Sequence, residues 1–131
     1  MVYVVDDDID DTELVQEAFA QYQYPNPIVT FHNGKAVMDK LLEDANAKPD
    51  AIILDLSMPV KDGFETLQEI KTHPLLRIIP VIVLTGSESK DDELRSFQLG
   101  CNFFFNKPNS MDEYEPLLTV VKKVTGHHDK P

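Results

Sequence analysis

Cysteine is nearly missing from this chain. Cys101 stands alone among 131 residues, so no internal disulfide can form. That fits a reducing cytosol. Long apolar runs are missing too: nothing approaches the ~18–20 residues that span a bilayer. The N-terminus lacks the charged-then-apolar order of a signal peptide, and Met1 leads straight into a strand. A soluble cytoplasmic protein with no membrane partner is the simplest reading. Positive charge is scarce: 12 Lys and Arg face 23 Asp and Glu, for a net charge of −11. Nucleic-acid phosphates would be repelled, which disfavours that class of partner. There is no internal repeat and no low-complexity block, and the length suits one domain.

What is present is enough for a core. Apolar residues make up 42% of the chain, and a chain of this size can bury roughly 65–70% of its unfolded surface without staples. The apolar residues fall into five short runs, Val2–Val5, Ile28–Phe31, Ala51–Leu54, Val81–Leu84 and Phe103–Phe105. Each is nearly continuous rather than alternating, as strands buried on both faces of a parallel sheet are. Helical stripes lie between them. They are Leu14, Val15, Ala18, Phe19 and Tyr22; Val37, Met38, Leu41 and Leu42; Phe64, Leu67 and Ile70; Leu94 and Phe97; and Met111, Tyr114, Leu118 and Val121. All five read as core-facing surfaces.

Turn signals such as Pro25-Asn26-Pro27, Asn33-Gly34, Asp62-Gly63 and Thr85-Gly86-Ser87 separate the pieces. Strand then helix, five times over, predicts an α/β sandwich with right-handed crossovers. Pro116 falls inside the fifth stripe, so that helix either starts near Asp112–Glu115 or kinks. Residues 126–131 read as a frayed polar tail after a domain of residues 1–125. His127-His128-Asp129 offers metal-ligand chemistry there, but a mobile tail explains it better.

In an open α/β sheet, ligands bind beyond the carboxyl ends of the strands. Strand one is followed by Asp6 and Asp7, strand three by Asp55, strand four by Thr85, and strand five by Asn106 and Lys107. An acid after a strand is often only a helix cap, and a Lys before Pro is often only exposed. Together, though, they bring three carboxylates, a hydroxyl and an ammonium to one edge. Three close carboxylates repel, and one should resist ionising unless a cation is present. An oxygen-only cluster suits Mg²⁺. A hard metal beside a carboxylate, a hydroxyl and a Lys is an arrangement for handling phosphoryl groups, and a carboxylate can be the nucleophile.

A rival reading starts from Asp8-Ile9-Asp10-Asp11-Thr12, which spells the D-x-D-x-T nucleophile loop of a haloacid-dehalogenase-like phosphatase. It places Asp8 three positions beyond Val5, where the nucleophile should follow the strand at once. It finds no strand before Asp112, Glu113 and Glu115, and it leaves Asp55 unexplained. Asp8, Asp10 and Asp11 are better read as first-turn acids that favour the helix dipole.

The stretch Asp55-Leu56-Ser57-Met58-Pro59-Val60-Lys61-Asp62-Gly63 resembles the D-x-x-M-P-x-x-D-G signature of response-regulator receiver domains. Asp6-Asp7 resembles their acidic pair, Leu84-Thr85-Gly86 their switch Thr motif, and Lys107-Pro108 their Lys-Pro. The match runs in order from Val2 to about Val124.

The resemblance implies a flavodoxin-like fold with strand order 2-1-3-4-5. It implies that Asp55 takes a phosphoryl group from a sensor histidine kinase or a phosphotransfer protein. Asp7, Asp55 and the Ser57 carbonyl would ligate Mg²⁺, with Asp6 acting through water. Lys107 would pair with a phosphoryl oxygen across a cis Lys107–Pro108 bond. Thr85 and Phe104 would be the switch pair, although Tyr is frequent where Phe104 stands. Output would pass through the fourth helix, fifth strand and fifth helix to a downstream protein or a second copy of the chain. The receiver pattern uses nearly the whole chain, which implies a stand-alone response regulator, not a turnover enzyme. It would do no more than phosphorylate and dephosphorylate itself. The segment Thr72-His73-Pro74-Leu75-Leu76-Arg77-Ile78-Ile79-Pro80 is similar to that of stand-alone receivers near the phytochrome-associated group. A degenerate receiver that binds partners without phosphorylation predicts loss of Asp55, Thr85 or Lys107, and all three are present.

Overall fold

The computed structural model describes residues 1–126. Five parallel strands alternate with helices: β1 (Val2–Val5), α1 (Ile9–Gln21), β2 (Ile28–Phe31), α2 (Gly34–Glu43), β3 (Ala51–Leu54), α3 (Gly63–Thr72), β4 (Val81–Thr85), α4 (Lys90–Gln98), β5 (Phe103–Asn106) and α5 (Glu115–Val124). A 3₁₀ turn, Met111–Tyr114, leads into α5. The sheet order is β2-β1-β3-β4-β5, the expected flavodoxin-like arrangement. Strand order reverses beside β1, with β2 on one side and β3 on the other, so the edge there opens a crevice.

Side-chain alternation divides each strand between two cores. Tyr3 and Val5 join Ile52, Leu54, Val81 and Val83 under Val37, Leu41, Leu67 and Ile70 of α2 and α3. Val2 and Val4 join Ile53, Ile82 and Leu84 under Val15, Phe19, Leu118 and Val121 of α1 and α5. The continuous runs are buried throughout in the central strands β1, β3 and β4. In the edge strands β2 and β5 they are only half-buried.

Local chemistry starts each helix where the strand-end loops require. The side chains of Asp8, Asn33, Asp62 and Ser89 accept backbone N–H bonds at the starts of α1, α2, α3 and α4. Pro116 falls in the first turn of α5, which therefore starts there and is not kinked.

Two expectations need correction. The α4 stripe is not core: Leu94 is 58% and Phe97 47% exposed, and only Ser96 is buried in that helix. The other helices cover the sheet, and α4 lies at its β5 edge with two apolar side chains left outward. The Lys107–Pro108 bond is trans, as is every described peptide bond. Trans is the lower form of an X–Pro bond by about 0.5–1 kcal/mol. The trans chain already carries the Lys107 ammonium to the carboxylates, so no contact at the site calls for the other isomer. The His127-His128-Asp129 reading lies outside the described residues. Among those residues, no helix is long and apolar enough to cross a membrane.

Candidate functional site

Register places the polar groups at one edge. Val5 pairs with Leu54, so Asp6 and Asp55 leave neighbouring strands side by side. Thr85 pairs with Asn106, and the Lys107 N–H donates to the Thr85 carbonyl at 2.8 Å. Asp6, Asp55 and Thr85 are buried, at 4%, 5% and 0% exposure. Asp7 is exposed. The three carboxylates each offer an oxygen within 4.8 Å of the others.

The ammonium of Lys107 faces three acids. It lies 3.5 Å from Asp55 Oδ2, 3.0 Å from Asp6 Oδ2 and 2.6 Å from Asp11 Oδ2. The nearest partner is one that sequence reasoning left in the helix dipole. A signal was available: Asp11 lies one turn before Val15, on the stripe that α1 turns inward through Ala18 and Phe19.

The charges are strained in a way that chemistry can use. Burial pushes the Asp6 carboxyl up to about 6, and the charge of Asp55 adds to this. The Asp8 N–H, which donates to Asp6 Oδ1 at 2.9 Å, and the Lys107 ammonium pull the other way without prevailing. Asp6 is thus the acid that resists ionising. Burial also raises Asp55, against Lys107, the Thr85 hydroxyl and the N–H groups of Leu56 and Ser57, all of which favour its charged form. At Lys107, burial opposes the charge, but hydrogen bonds to Asp11 and Asp6 and the field of Asp55 outweigh it and raise its pKa.

This donor set fits a hard dication. It consists of oxygen alone, carries more negative charge than Lys107 offsets, and includes one carboxyl that burial raises to about 6. Ser57 is exposed, two residues past Asp55, with its N–H on the Asp55 carboxylate.

The surrounding loops hold the site in place. Asp55 donates its N–H to the Val5 carbonyl at 3.0 Å, and Gly63 donates to the Leu56 carbonyl at 2.9 Å. A Cβ on Gly63 would lie 2.2 Å from the Asp55 carbonyl oxygen, so only glycine lets α3 start this close. Beyond Thr85, the Ser87 hydroxyl donates to Asp92 at 2.6 Å, and the Asn106 amide donates to the Ser87 carbonyl at 2.5 Å. Phe104 is half-buried on β5, its ring 6.5 Å from that of Phe97 on α4. Asp8 is exposed and caps α1, and the Thr12 hydroxyl donates to the Ile9 carbonyl at 2.8 Å. The phosphatase reading of that loop therefore fails: its proposed nucleophile is an N-cap.

Residues 2–119 match the family model described as the response regulator receiver domain. The chain belongs to the response regulator receiver family. It is 34% identical to the response regulator Rcp1 of Synechocystis over 126 residues, 93% of this chain and 86% of that one. The crystal structure of the phosphorylated cyanobacterial phytochrome response regulator RcpA superposes with a TM-score of 0.79 at 38% identity, covering 94% of this receiver and 89% of that chain. The Mn²⁺-bound form of Rcp1 gives 0.76 at 36%, covering 95% and 88%. This receiver is therefore homologous to single-domain response regulators, and its acidic pocket is a divalent-cation site of the receiver type.

Proposed function

We propose that this receiver, over residues 1–125, acts as a cytoplasmic response regulator that takes a phosphoryl group on Asp55. The donor is a phosphohistidine on a sensor histidine kinase or a phosphotransfer protein. The observation that carries this reading is the meeting of Lys107 with Asp55 and Asp6 beside the Asp6–Asp7–Asp55 cluster. The family relation supplies the reaction class.

Each residue then has a physical task. Asp55, kept chargeable by Lys107, Thr85 and two backbone N–H groups, attacks phosphorus. The P–N bond breaks, and its electron pair leaves on the imidazole. Asp7, Asp55 and the Ser57 carbonyl would hold Mg²⁺, with Asp6 reaching it through water. When bound, the ion would supply positive charge that offsets the charge of the transferring phosphoryl group. Lys107 takes one phosphoryl oxygen, and Thr85 donates to another. Thr85 ends β4 and Phe104 lies one strand over, so moving the Thr85 hydroxyl onto a phosphoryl oxygen biases the packing of β5 against α4. Output is a population shift toward one of two packings of the α4–β5–α5 face, read by a downstream protein or by a second copy of the chain. Phosphorylation and hydrolysis are single events on the chain's own side chain, so the receiver signals rather than turning over a substrate.

The test is incubation with Mg²⁺ and a small acyl phosphate, read by intact mass. The wild type should gain one phosphoryl group, and Asp55→Asn or EDTA should abolish the gain. Labelling that survives Asp55→Asn refutes the assignment.

A further inference from the structure

Asp11 is the carboxylate nearest to Lys107, yet it lies outside the cluster that can hold a metal. Its oxygen is 2.6 Å from the ammonium, against 3.0 Å for Asp6 and 3.5 Å for Asp55. Among the described residues, the acids able to share an ion are Asp6, Asp7 and Asp55, without Asp11. Both ends of the Asp11–Lys107 pair are anchored. Asp11 lies in the first turn of α1, fixed by the Asp8 cap and by Thr12 bonded to the Ile9 carbonyl. Lys107 is tied through its N–H to the end of β4. The two side chains are only 26% and 22% exposed, so solvent screens the pair weakly.

A single ammonium shared by three carboxylates cannot neutralise them all. Whatever share Asp11 takes is withheld from Asp6 and Asp55. We propose that Asp11 is a positioning residue: it draws Lys107 off Asp55 in the resting receiver and so keeps the Asp6–Asp7–Asp55 cluster open to a divalent cation. Without Asp11, the ammonium settles on Asp6 and Asp55 and competes with the metal for the same oxygens. Asp11 thereby couples the helix that follows the acidic pair to the readiness of the phosphoryl acceptor. This inference rests on the cation-dependent acceptor reading given above.

The experiment is a titration with Mn²⁺, in which free ion is followed by electron paramagnetic resonance, on wild type, Asp11→Asn, Lys107→Ala and the double variant. Asp11→Asn should weaken Mn²⁺ binding about two- to fivefold, the range of an ion pair of this exposure. Asp11→Glu should restore binding. In the Lys107→Ala background the Asp11 change should have no effect, which a merely structural role for Asp11 would not produce. Asp11→Ser serves if the Asn variant does not fold. Unchanged binding in Asp11→Asn overturns the proposal. An equal loss in both backgrounds overturns it too, because Asp11 would then act by its own field and not through Lys107. If wild type takes a phosphoryl group on Asp55 and binds Mn²⁺ while Asp11→Asn behaves identically, only the role of Asp11 fails. If wild type binds no Mn²⁺ and takes no phosphoryl group, the acceptor reading fails with it.

Discussion

Replacing Asp6 by Asn should stabilise the metal-free receiver, although Asp6 faces the functional site and accepts two good contacts. In the folded chain its carboxyl titrates near 6, raised chiefly by burial, against an ordinary value of 3.8. Between those two values the folded state holds a proton that the unfolded state has released. Stability therefore falls as pH rises through that window and stays low above it. The full window of about two pH units corresponds to about 3 kcal/mol at neutral pH. Water reaching the open edge of the site beside the exposed Asp7 should reduce this to about half. Asn keeps an oxygen to accept the Asp8 N–H that Asp6 now accepts at 2.9 Å and carries no charge to desolvate. The expected gain at pH 7.5 in EDTA is therefore about 1–2 kcal/mol, or about 3–10 °C in Tm for a domain of this size.

Wild type itself should lose stability from pH 5 to 7.5 by up to about 1.4 kcal/mol, because one unit of the window lies above pH 5. Asp55, shifted in the same direction, adds to the fall. Saturating Mn²⁺ should reverse the order of the two proteins, since a cation at 100 times its Kd adds about 2.7 kcal/mol to a chain that binds it well. Thermal melts by circular dichroism with EDTA or Mn²⁺ measure all of this. A metal-free Asp6→Asn variant less stable than wild type at pH 7.5 would refute the electrostatic reasoning.

Gly63→Ala should destabilise by about 1–3 kcal/mol and depress phosphoryl uptake, because its Cβ would press on the Asp55 carbonyl at 2.2 Å and on Leu56 Cα at 2.5 Å. Gly86→Ala, with open space around its Cβ, should change stability little when both variants are unfolded in urea, and equal tolerance at both positions would contradict the packing described. Val60 is 80% exposed at φ 68°, with the Lys61 N–H donating to the Pro59 carbonyl at 2.8 Å, a strained γ-turn for a β-branched side chain. Val60→Gly should relieve about 1–2 kcal/mol of that strain and lose about 0.5–1 to chain entropy. The net should be a small gain in the urea midpoint, and a loss would show that the turn is not strained.

Much of this receiver was legible before its structure. Apolar runs of four residues between turn signals mark strands, because buried β segments need no alternation. The residue just past each run is committed to the carboxyl edge of the sheet by chain direction alone. Asp6, Asp7, Asp55, Thr85 and Lys107 could therefore be placed together from order and strand ends. Tertiary structure decided what depends on which surfaces meet. It exposed Leu94 and Phe97, whose helical spacing is indistinguishable from that of a buried stripe until the neighbours of α4 are known. It kept the Lys107–Pro108 bond trans, which no residue pattern reports. It also gave Lys107 its nearest acid from 96 residues away. Local sequence encodes periodicity and direction, whereas the placing of α1 beside the loop that follows β5 arises only in the packed fold, and that placing set Asp11 against Lys107.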